Sequence, residues 1–481
     1  MSKGLYDELK KYGESDIYPF HMPGHKRSLQ SGALADFYQM DITEIDGFDN
    51  LHQPESIIKD AQKRAAELYH SEETYFLING STAGILSAVS VAGKAGSLII
   101  SRNCHKAVYH AAFLNRFKLY YIYPETIEEY GISGSVQPEN LKNLIDNILF
   151  SEGNDKKKPS EVIAGIVVTS PTYEGIASDI NRLVKVAHSY NLPIIVDQAH
   201  GAHFGIHPAY PESAVWEGAD LVIHSIHKTL PAPTQTALIH RNGVLTDREQ
   251  LKKYLRIYQS SSPSYLLMAG IDEAIRIVSQ EGYDRLESLF QRRSRVVNAL
   301  KNCRYIQICP DTEPGKLVIF IKNCVMTGHM LYEVLRNKYH LQMEMEAGNY
   351  VIAILSMMDC EEGVERLNTA LLDIDAMLVK SEGEKNTVEN KKEKKQLPDL
   401  KFYPEVSLDL WEAYRAPYEE VEIEKAQGRT AAEFINLYPP GIPLLVPGEI
   451  WDNKMIQAVQ TYQENGYVIQ GIYNNKIKVI I

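Results

Sequence analysis

The chain has 481 residues, 44% apolar and 23% charged, the usage of an ordinary folded protein of roughly two to four domains at about 150 residues each. Its 50 Lys and Arg against 62 Asp and Glu leave a formal charge of −12, which argues against general nucleic-acid binding because phosphate contacts need a cationic surface. Disorder, collagen and a continuous coiled coil are excluded on the same grounds. The five cysteines, Cys104, Cys303, Cys309, Cys324 and Cys360, show no CxxC spacing, so no zinc ribbon or thioredoxin-type motif is expected. Their scatter fits a reducing cytosol.

The opening residues interleave charge with Leu5, Leu9 and Tyr12 at helical spacing, which predicts a short amphipathic helix and no signal peptide. No apolar run approaches the roughly 18 residues of a membrane span, so a soluble cytoplasmic protein without membrane partners is expected. His21-Met22-Pro23-Gly24-His25-Lys26 is a loop, broken by Pro-Gly. Residues 54–70 carry apolar side chains on one helical face. From there to about residue 240, apolar runs at 74–78, 97–101, 119–123, 162–169, 192–196 and 220–224 alternate with helical stretches at 82–92, 105–115, 138–149 and 179–189. Such alternation predicts an α/β domain with a large, mostly parallel sheet and helices on both faces. A long helix is expected over 267–297. Strands at 316–321 and 350–355, with a helix at 327–338 between them, predict a smaller α+β unit. The boundaries that follow are 1–60 for an N-terminal arm, 61–300 for the large domain, 301–380 for the small domain, 381–398 for a charged linker and 399–481 for a C-terminal domain.

Several strand ends carry chemistry. The run at 192–196 ends in Asp197-Gln198-Ala199-His200-Gly201, and ligands of open α/β sheets sit at the carboxyl ends of strands. The run at 220–224 is followed by Ser225-Ile226-His227-Lys228, where a partly desolvated Lys is a Schiff-base former. Asn79-Gly80-Ser81-Thr82 opens a helix with hydroxyls and free N–H groups suited to a phosphate. His105 begins another helix at the same sheet edge and is flat enough to stack on a planar ring. An anion cup, a flat ring, an acid and a Lys at successive βα junctions form the set that pyridoxal phosphate needs. Read singly, each has a structural explanation as a cap, a turn or a surface residue. No metal is expected: His200, His203, His207, His224 and His227 lack HExxH spacing or a Cys partner.

His21–Lys26, Ser101-Arg102-Asn103-Cys104-His105-Lys106, Asp197–Gly201, Ser225–Lys228 and Tyr438-Pro439-Pro440-Gly441-Ile442-Pro443 together resemble the Orn/Lys/Arg decarboxylase family, in its compact bacterial form without a wing domain. The resemblance implies the aspartate-aminotransferase fold (fold type I), pyridoxal phosphate as cofactor, and a role in polyamine biosynthesis. It makes Lys228 the Schiff-base Lys, Asp197 the pyridinium partner, His105 the stacking residue and Ala199 the small residue under the ring. Ser81, Thr82, Ser225 and His227 match the phosphate-binding positions, and His200 belongs to the same cofactor motif. Ser261 lies in a segment similar to one that reaches the phosphate of a neighbouring subunit, which implies a homodimer or higher oligomer. Two departures stand out. Gln198 replaces the usual Glu beside the pyridinium aspartate, and Asn50 replaces a common Asp.

The expected reaction is decarboxylation of a basic amino acid, arginine before lysine and ornithine, with Lys228 or His227 returning a proton to Cα. Glu344, Glu346, Glu433 and Glu449 are acids that could meet the distal cation of the substrate. An aminotransferase or another lyase on this fold, and a non-catalytic pyridoxal-phosphate-binding regulator, remain open. An aminotransferase would need a small-domain Arg to clamp a carboxylate, and Arg336 lacks a matching motif.

Overall fold

The computed structural model describes residues 4–28, 32–93, 96–151, 157–324, 326–385, 403–438, 442–464 and 468–481. Two compact units result, residues 1–95 with 138–171 and 179–287, and residues 96–137 with 172–178 and 288–481.

The first unit is built on five strands: β1 (Glu73–Leu77), β2 (Ile163–Thr169), β3 (Ile194–Asp197), β4 (Leu221–His224) and β5 (Ala237–Arg241). Their order is β1-β5-β4-β3-β2. β2, β3 and β4 pair in parallel, while β5 runs antiparallel to both β4 and β1. Four strands therefore point one way and β5 alone is reversed. Every residue of β3 and β4 is buried, which is why both appear in the sequence as unbroken apolar runs. β5 escaped that reading because its short run ends in His240 and Arg241.

The helices α1 (Leu5–Gly13), α2 (Ile57–Tyr69), α3 (Gly80–Val91), α4 (Pro138–Ser151), α5 (Ile180–Ser189) and α6 (Arg248–Tyr258) belong to this unit. All but α6 fall within a residue or three of the expected stretches. α5 starts where Asp179 accepts the Arg182 N–H, a normal N-cap. α3 lies so close to the sheet that a Cβ on Gly84 would meet Leu77 Cδ1 at 2.6 Å and Ile223 at 3.3 Å. A side chain at Gly84 would therefore push the helix off the strands.

In the second unit, Ser97–Ser101 and Lys118–Ile122 pair in parallel, with the helix Lys106–Asn115 between them in the chain. A four-stranded antiparallel sheet follows in the order Ile306–Ile308, Lys316–Ile321, Tyr350–Ile354, Met345–Ala347. The helix Gly328–Tyr339 is capped by Thr327, which accepts the Met330 N–H. The C-terminal part packs a core around the buried Trp451 and Tyr462. Part of the charged segment is helical, because Glu361–Lys385 runs unbroken through residues 381–385. Residues 386–398, and Pro439, Pro440 and Gly441 of the proline motif, lie outside the described residues. Among the described residues, no helix is long and apolar enough to cross a membrane.

Candidate active site

Three strand ends of the first unit deliver the central residues. β3 ends at Asp197, which is 4% exposed. Its Oδ1 accepts the Ala199 N–H at 3.2 Å, so the carboxylate closes the turn that follows it. Burial pushes the Asp197 carboxyl up, and the positive charge of Lys228 opposes that shift. A buried carboxylate held by one backbone donor and a nearby cation is poorly matched inside the protein alone, and it suits a cationic ring nitrogen.

β4 passes into a one-turn helix, Ile226–Thr229, with Ser225 at its N-cap. This turn carries His227 and Lys228, both half-buried. Lys228 Nζ lies 3.0 Å from His200 Nε2, so the Lys reaches back over the turn that follows Asp197. His227 Nδ1 donates to the Thr236 carbonyl at 2.8 Å. Burial lowers the His227 pKa and Lys228 lowers it further, while the bond to Thr236 opposes both. His227 is therefore a neutral imidazole whose Nε2 carries a lone pair.

β1 leads through Asn79 into α3. Gly80 sits at φ +72°, a left-handed conformation that suits glycine and turns the chain into the helix. Ser81 Oγ and Ser225 Oγ are hydrogen-bonded at 2.5 Å, so two hydroxyls from separate strand ends meet at the N-terminus of α3. Helix dipole, free N–H groups and paired hydroxyls make an anion cup. Thr82 is exposed on the first turn. Ser260 N donates to Asn79 Oδ1 at 3.0 Å, which places the Ser260–Ser262 loop against the entry to the same helix, with Ser261 exposed.

Ala199 and His200 are buried beside Asp197. His105 belongs to the second unit, where it caps the helix Lys106–Asn115 by accepting the Ala107 N–H. The first unit thus brings together Ser81, Asp197, Ala199, His200, Ser225, His227 and Lys228.

The acids considered for the substrate's distal cation all lie in the second unit. Glu449 is fully buried and bonded to Arg102 at 3.0 Å and to the Val446 N–H at 2.8 Å. Its charge is spent on that pair, which removes it from the substrate candidates. Glu433 lies 3.6 Å from Lys478. Glu346 pairs with His329 at 2.8 Å, and Glu344 accepts the Tyr173 hydroxyl at 2.6 Å. Arg336 pairs with Glu333 along its own helix, so it is no ready carboxylate clamp. No group of three metal-ligating side chains is found among the described residues.

Sequence reasoning missed the layer behind the strand ends. Tyr69 packs its ring against both His224 and His240, with centroids 4.8 and 4.7 Å away. Burial lowers the pKa of both imidazoles, His240 to about 3. Each is neutral when folded and takes up a proton when unfolded below about pH 6.5. The unfolded state then binds more protons than the native one, so stability falls as pH drops from 6.5 towards 3, by about 1.4 kcal/mol per pH unit per His. Denaturant melts between pH 7 and pH 5 should show this slope, and His240→Asn should remove about half of the pair's share. An unchanged slope in that variant means the imidazole is not buried neutral.

The chain matches the family model for the Orn/Lys/Arg decarboxylase major domain over residues 3–346 and its C-terminal domain over 390–471. An arginine decarboxylase of Bacillus subtilis is 30% identical over 99% of this chain and 96% of its own length. A lysine decarboxylase, LdcA of Pseudomonas aeruginosa, is 24% identical over 92% of this chain and 73% of its own. In structure, the Francisella novicida lysine decarboxylase LdcF superposes with a TM-score of 0.83 at 19% identity, covering 99% of this chain and 81% of that one. A NifS-like protein superposes at 0.53, with 17% identity, over 69% of this chain and 92% of its own. The fold is therefore the fold-type I architecture that the family resemblance implies, built on the mostly parallel sheet expected from the alternating strands and helices. Strand ends bearing acid, Lys and anion cup, together with family matches spanning most of the sequence, lead to one assignment: this chain belongs to the Orn/Lys/Arg decarboxylase family.

Proposed function

We propose that this chain decarboxylates L-arginine to agmatine and CO2, with pyridoxal phosphate seated on the ends of β1, β3 and β4 of the first unit. The observation that carries the reading is the meeting of a buried carboxylate, Asp197, with the Lys228 amine at adjacent strand ends. The residues fit the cofactor: paired hydroxyls at a helix N-terminus for its phosphate, a buried acid for its ring nitrogen and an amine for its aldehyde. When bound, pyridoxal phosphate supplies an electron-poor ring that takes up the electron pair of the breaking Cα–carboxylate bond.

Asp197 holds a proton on the ring nitrogen. In a dry site that charge pair is far stronger than in water. Ser81 and Ser225 orient the phosphate and so fix the position of the ring. Lys228, whose amine lies 3.0 Å from His200 Nε2, would hold the cofactor at its aldehyde end. The proton returned to Cα comes from Lys228 or from its neighbour His227, whose neutral imidazole can accept one proton and pass it on. Thr82 and Ala199 complete the cup and the floor. Exposed Ser261 is read as completing the phosphate site of a second copy, which implies an active unit of at least two copies, a homodimer or a higher oligomer. Placement in the cytoplasm and in polyamine biosynthesis follows from the same reading.

Arginine stands first because four relatives similar over nearly their whole length carry the name arginine decarboxylase. Turnover assays with arginine, lysine and ornithine test it. Agmatine and CO2 from arginine are expected at the highest kcat/KM. A keto acid product would make the chain an aminotransferase, and bound cofactor without CO2 would make it a regulator.

The anion cup has its own test. A hydrogen bond to a charged group contributes about 1.5–3 kcal/mol, so Ser81→Ala or Ser225→Ala should weaken pyridoxal phosphate binding by about 10-fold or more. Fluorescence titration of the unloaded protein measures it, and unchanged affinity in both variants would move the phosphate elsewhere.

A further inference from the structure

A chain of hydrogen bonds runs through the interior of the first unit behind the strand ends. Gln198 Oε1 lies 2.8 Å from His224 Nε2 and 3.1 Å from the Ala214 amide nitrogen. His224 Nδ1 lies 3.0 Å from His240 Nε2, and His240 Nδ1 lies 2.8 Å from Thr74 Oγ1. Thr74 Oγ1 is 2.7 Å from Ser71 Oγ. Gln198, His224, His240 and Thr74 are all buried, and Ser71 is half-buried.

The far end of the chain fixes every link. The Ala214 N–H can only donate, so Gln198 presents its oxygen, and His224 Nε2 must carry a hydrogen to bond there. A neutral His224 then has a bare Nδ1, which accepts from His240 Nε2–H. His240 Nδ1 is bare in turn and accepts the Thr74 hydroxyl, whose oxygen accepts from Ser71. One assignment satisfies all the links and leaves both imidazoles uncharged. It also ends on an amide oxygen, which does not take up a proton, so the chain is a strut and not a proton path. The other groups facing it are the Ser213 hydroxyl, which donates to Gln198 Oε1 at 3.5 Å, the Tyr69 ring, whose hydroxyl donates to the Ala202 carbonyl, and His203, with Asp197 next to Gln198 in the chain.

Gln198 is held by its backbone as well. Its N–H donates to the Ile223 carbonyl at 3.0 Å, and its carbonyl accepts the Gly201 N–H at 2.9 Å. A Cβ on Gly201 would meet Gln198 Cγ at 2.7 Å, so the turn closes directly over this side chain.

We propose that Gln198 is a positioning residue: it ties the turn carrying Asp197, Ala199 and His200 to the buried histidine strut, and its uncharged amide places no second negative charge beside Asp197. The proposal rests on the reading of Asp197 as the partner of the ring nitrogen. A carboxylate at 198 accepts the same His224 N–H but also attracts a proton onto the strut, so shape is kept and charge is changed. A methionine at 198 keeps the bulk and loses the acceptor.

Neutron diffraction from crystals of the full chain loaded with pyridoxal phosphate shows the protons directly. Hydrogens on Nε2 of both His224 and His240, with both Nδ1 atoms bare, are expected, and a hydrogen on either Nδ1 overturns the strut. Q198E should shift the midpoint of the pH titration of the bound-cofactor absorbance by at least about half a unit, and Q198M should leave that midpoint in place while weakening cofactor binding about 10-fold. A wild-type midpoint in Q198E overturns the charge argument. Wild-type cofactor affinity in Q198M overturns the positioning role and remains decisive if Q198E does not fold. Failure of the underlying reading looks different: Asp197→Ala would then keep wild-type rate and affinity whatever the proton map shows.

Discussion

Lys228→Ala should reduce turnover on the order of 10⁴-fold or more, about 5.5 kcal/mol of lost transition-state stabilisation. The side chain sits on the one-turn helix Ile226–Thr229, pinned by the Ile226 N–H to the Thr236 carbonyl and the Lys228 N–H to the Ser225 carbonyl. Its amine is thereby delivered to His200, three residues beyond Asp197. Removing a half-buried side chain from a short turn costs little folding energy, so circular dichroism and melting should stay close to wild type while the visible absorbance of the bound cofactor disappears. Lys228→Arg separates charge from nucleophile. It keeps a cation beside Asp197, but a guanidinium stays protonated and cannot bind the aldehyde, so the loss should be as large as for alanine. Borohydride reduction followed by peptide mass analysis reads the attachment directly: wild type should carry the cofactor's mass on the peptide containing Lys228, and neither variant should carry it. Retained turnover in either variant would remove Lys228 from its role.

The part of this site that was legible in the sequence is the part made by local runs. Residues 192–196 and 220–224 are continuous apolar stretches because β3 and β4 are buried on both faces, and their ends announce Asp197 and Lys228. Ser81 was legible because a helix opening with small hydroxyl residues after a strand is a local pattern. What stayed hidden depends on contacts far apart in the chain. Glu449 looked like a substrate acid near a proline motif, yet it closes on Arg102, 347 residues away, and periodicity carries no such pairing. His240 is marked by no local sequence pattern. Only the antiparallel pairing of β5 with β1 and β4 brings it to Thr74 and His224. α6 was missed because its pattern is dominated by charge, with Leu251 and Leu255 alone buried. Gln198 was visible as a departure from the family pattern, but its partners could be named only once β4 and β5 lay side by side.

Asp197→Asn should move rate and stability in opposite directions. The amide keeps the size of the side chain and an oxygen for the Ala199 N–H, and it loses the charge. Without that charge the ring nitrogen is not held protonated, so kcat should fall by about 10²- to 10⁴-fold, or about 3–5.5 kcal/mol. Cofactor affinity should weaken alongside it. The unloaded protein should behave otherwise. Burial raises the Asp197 carboxyl above its ordinary 3.8 even against the pull of Lys228, so the native state holds this proton at pH values where the unfolded chain has released it. The native state then binds more protons than the unfolded one, and stability is lost as pH rises from about 4 through the raised value. Asparagine has no such titration. The unloaded variant should therefore be at least as stable as the unloaded wild type at pH 7, and the gap should narrow on acidification. Burying the carboxylate carries a folding cost that, on the proposed reading, the cofactor's positive nitrogen would offset, as expected where a binding site is built ahead of its ligand. Paired melts of loaded and unloaded protein at pH 5 and pH 7 test this: a variant that melts lower than wild type without cofactor would show that Asp197 is a structural acid and not one held ready for a ring.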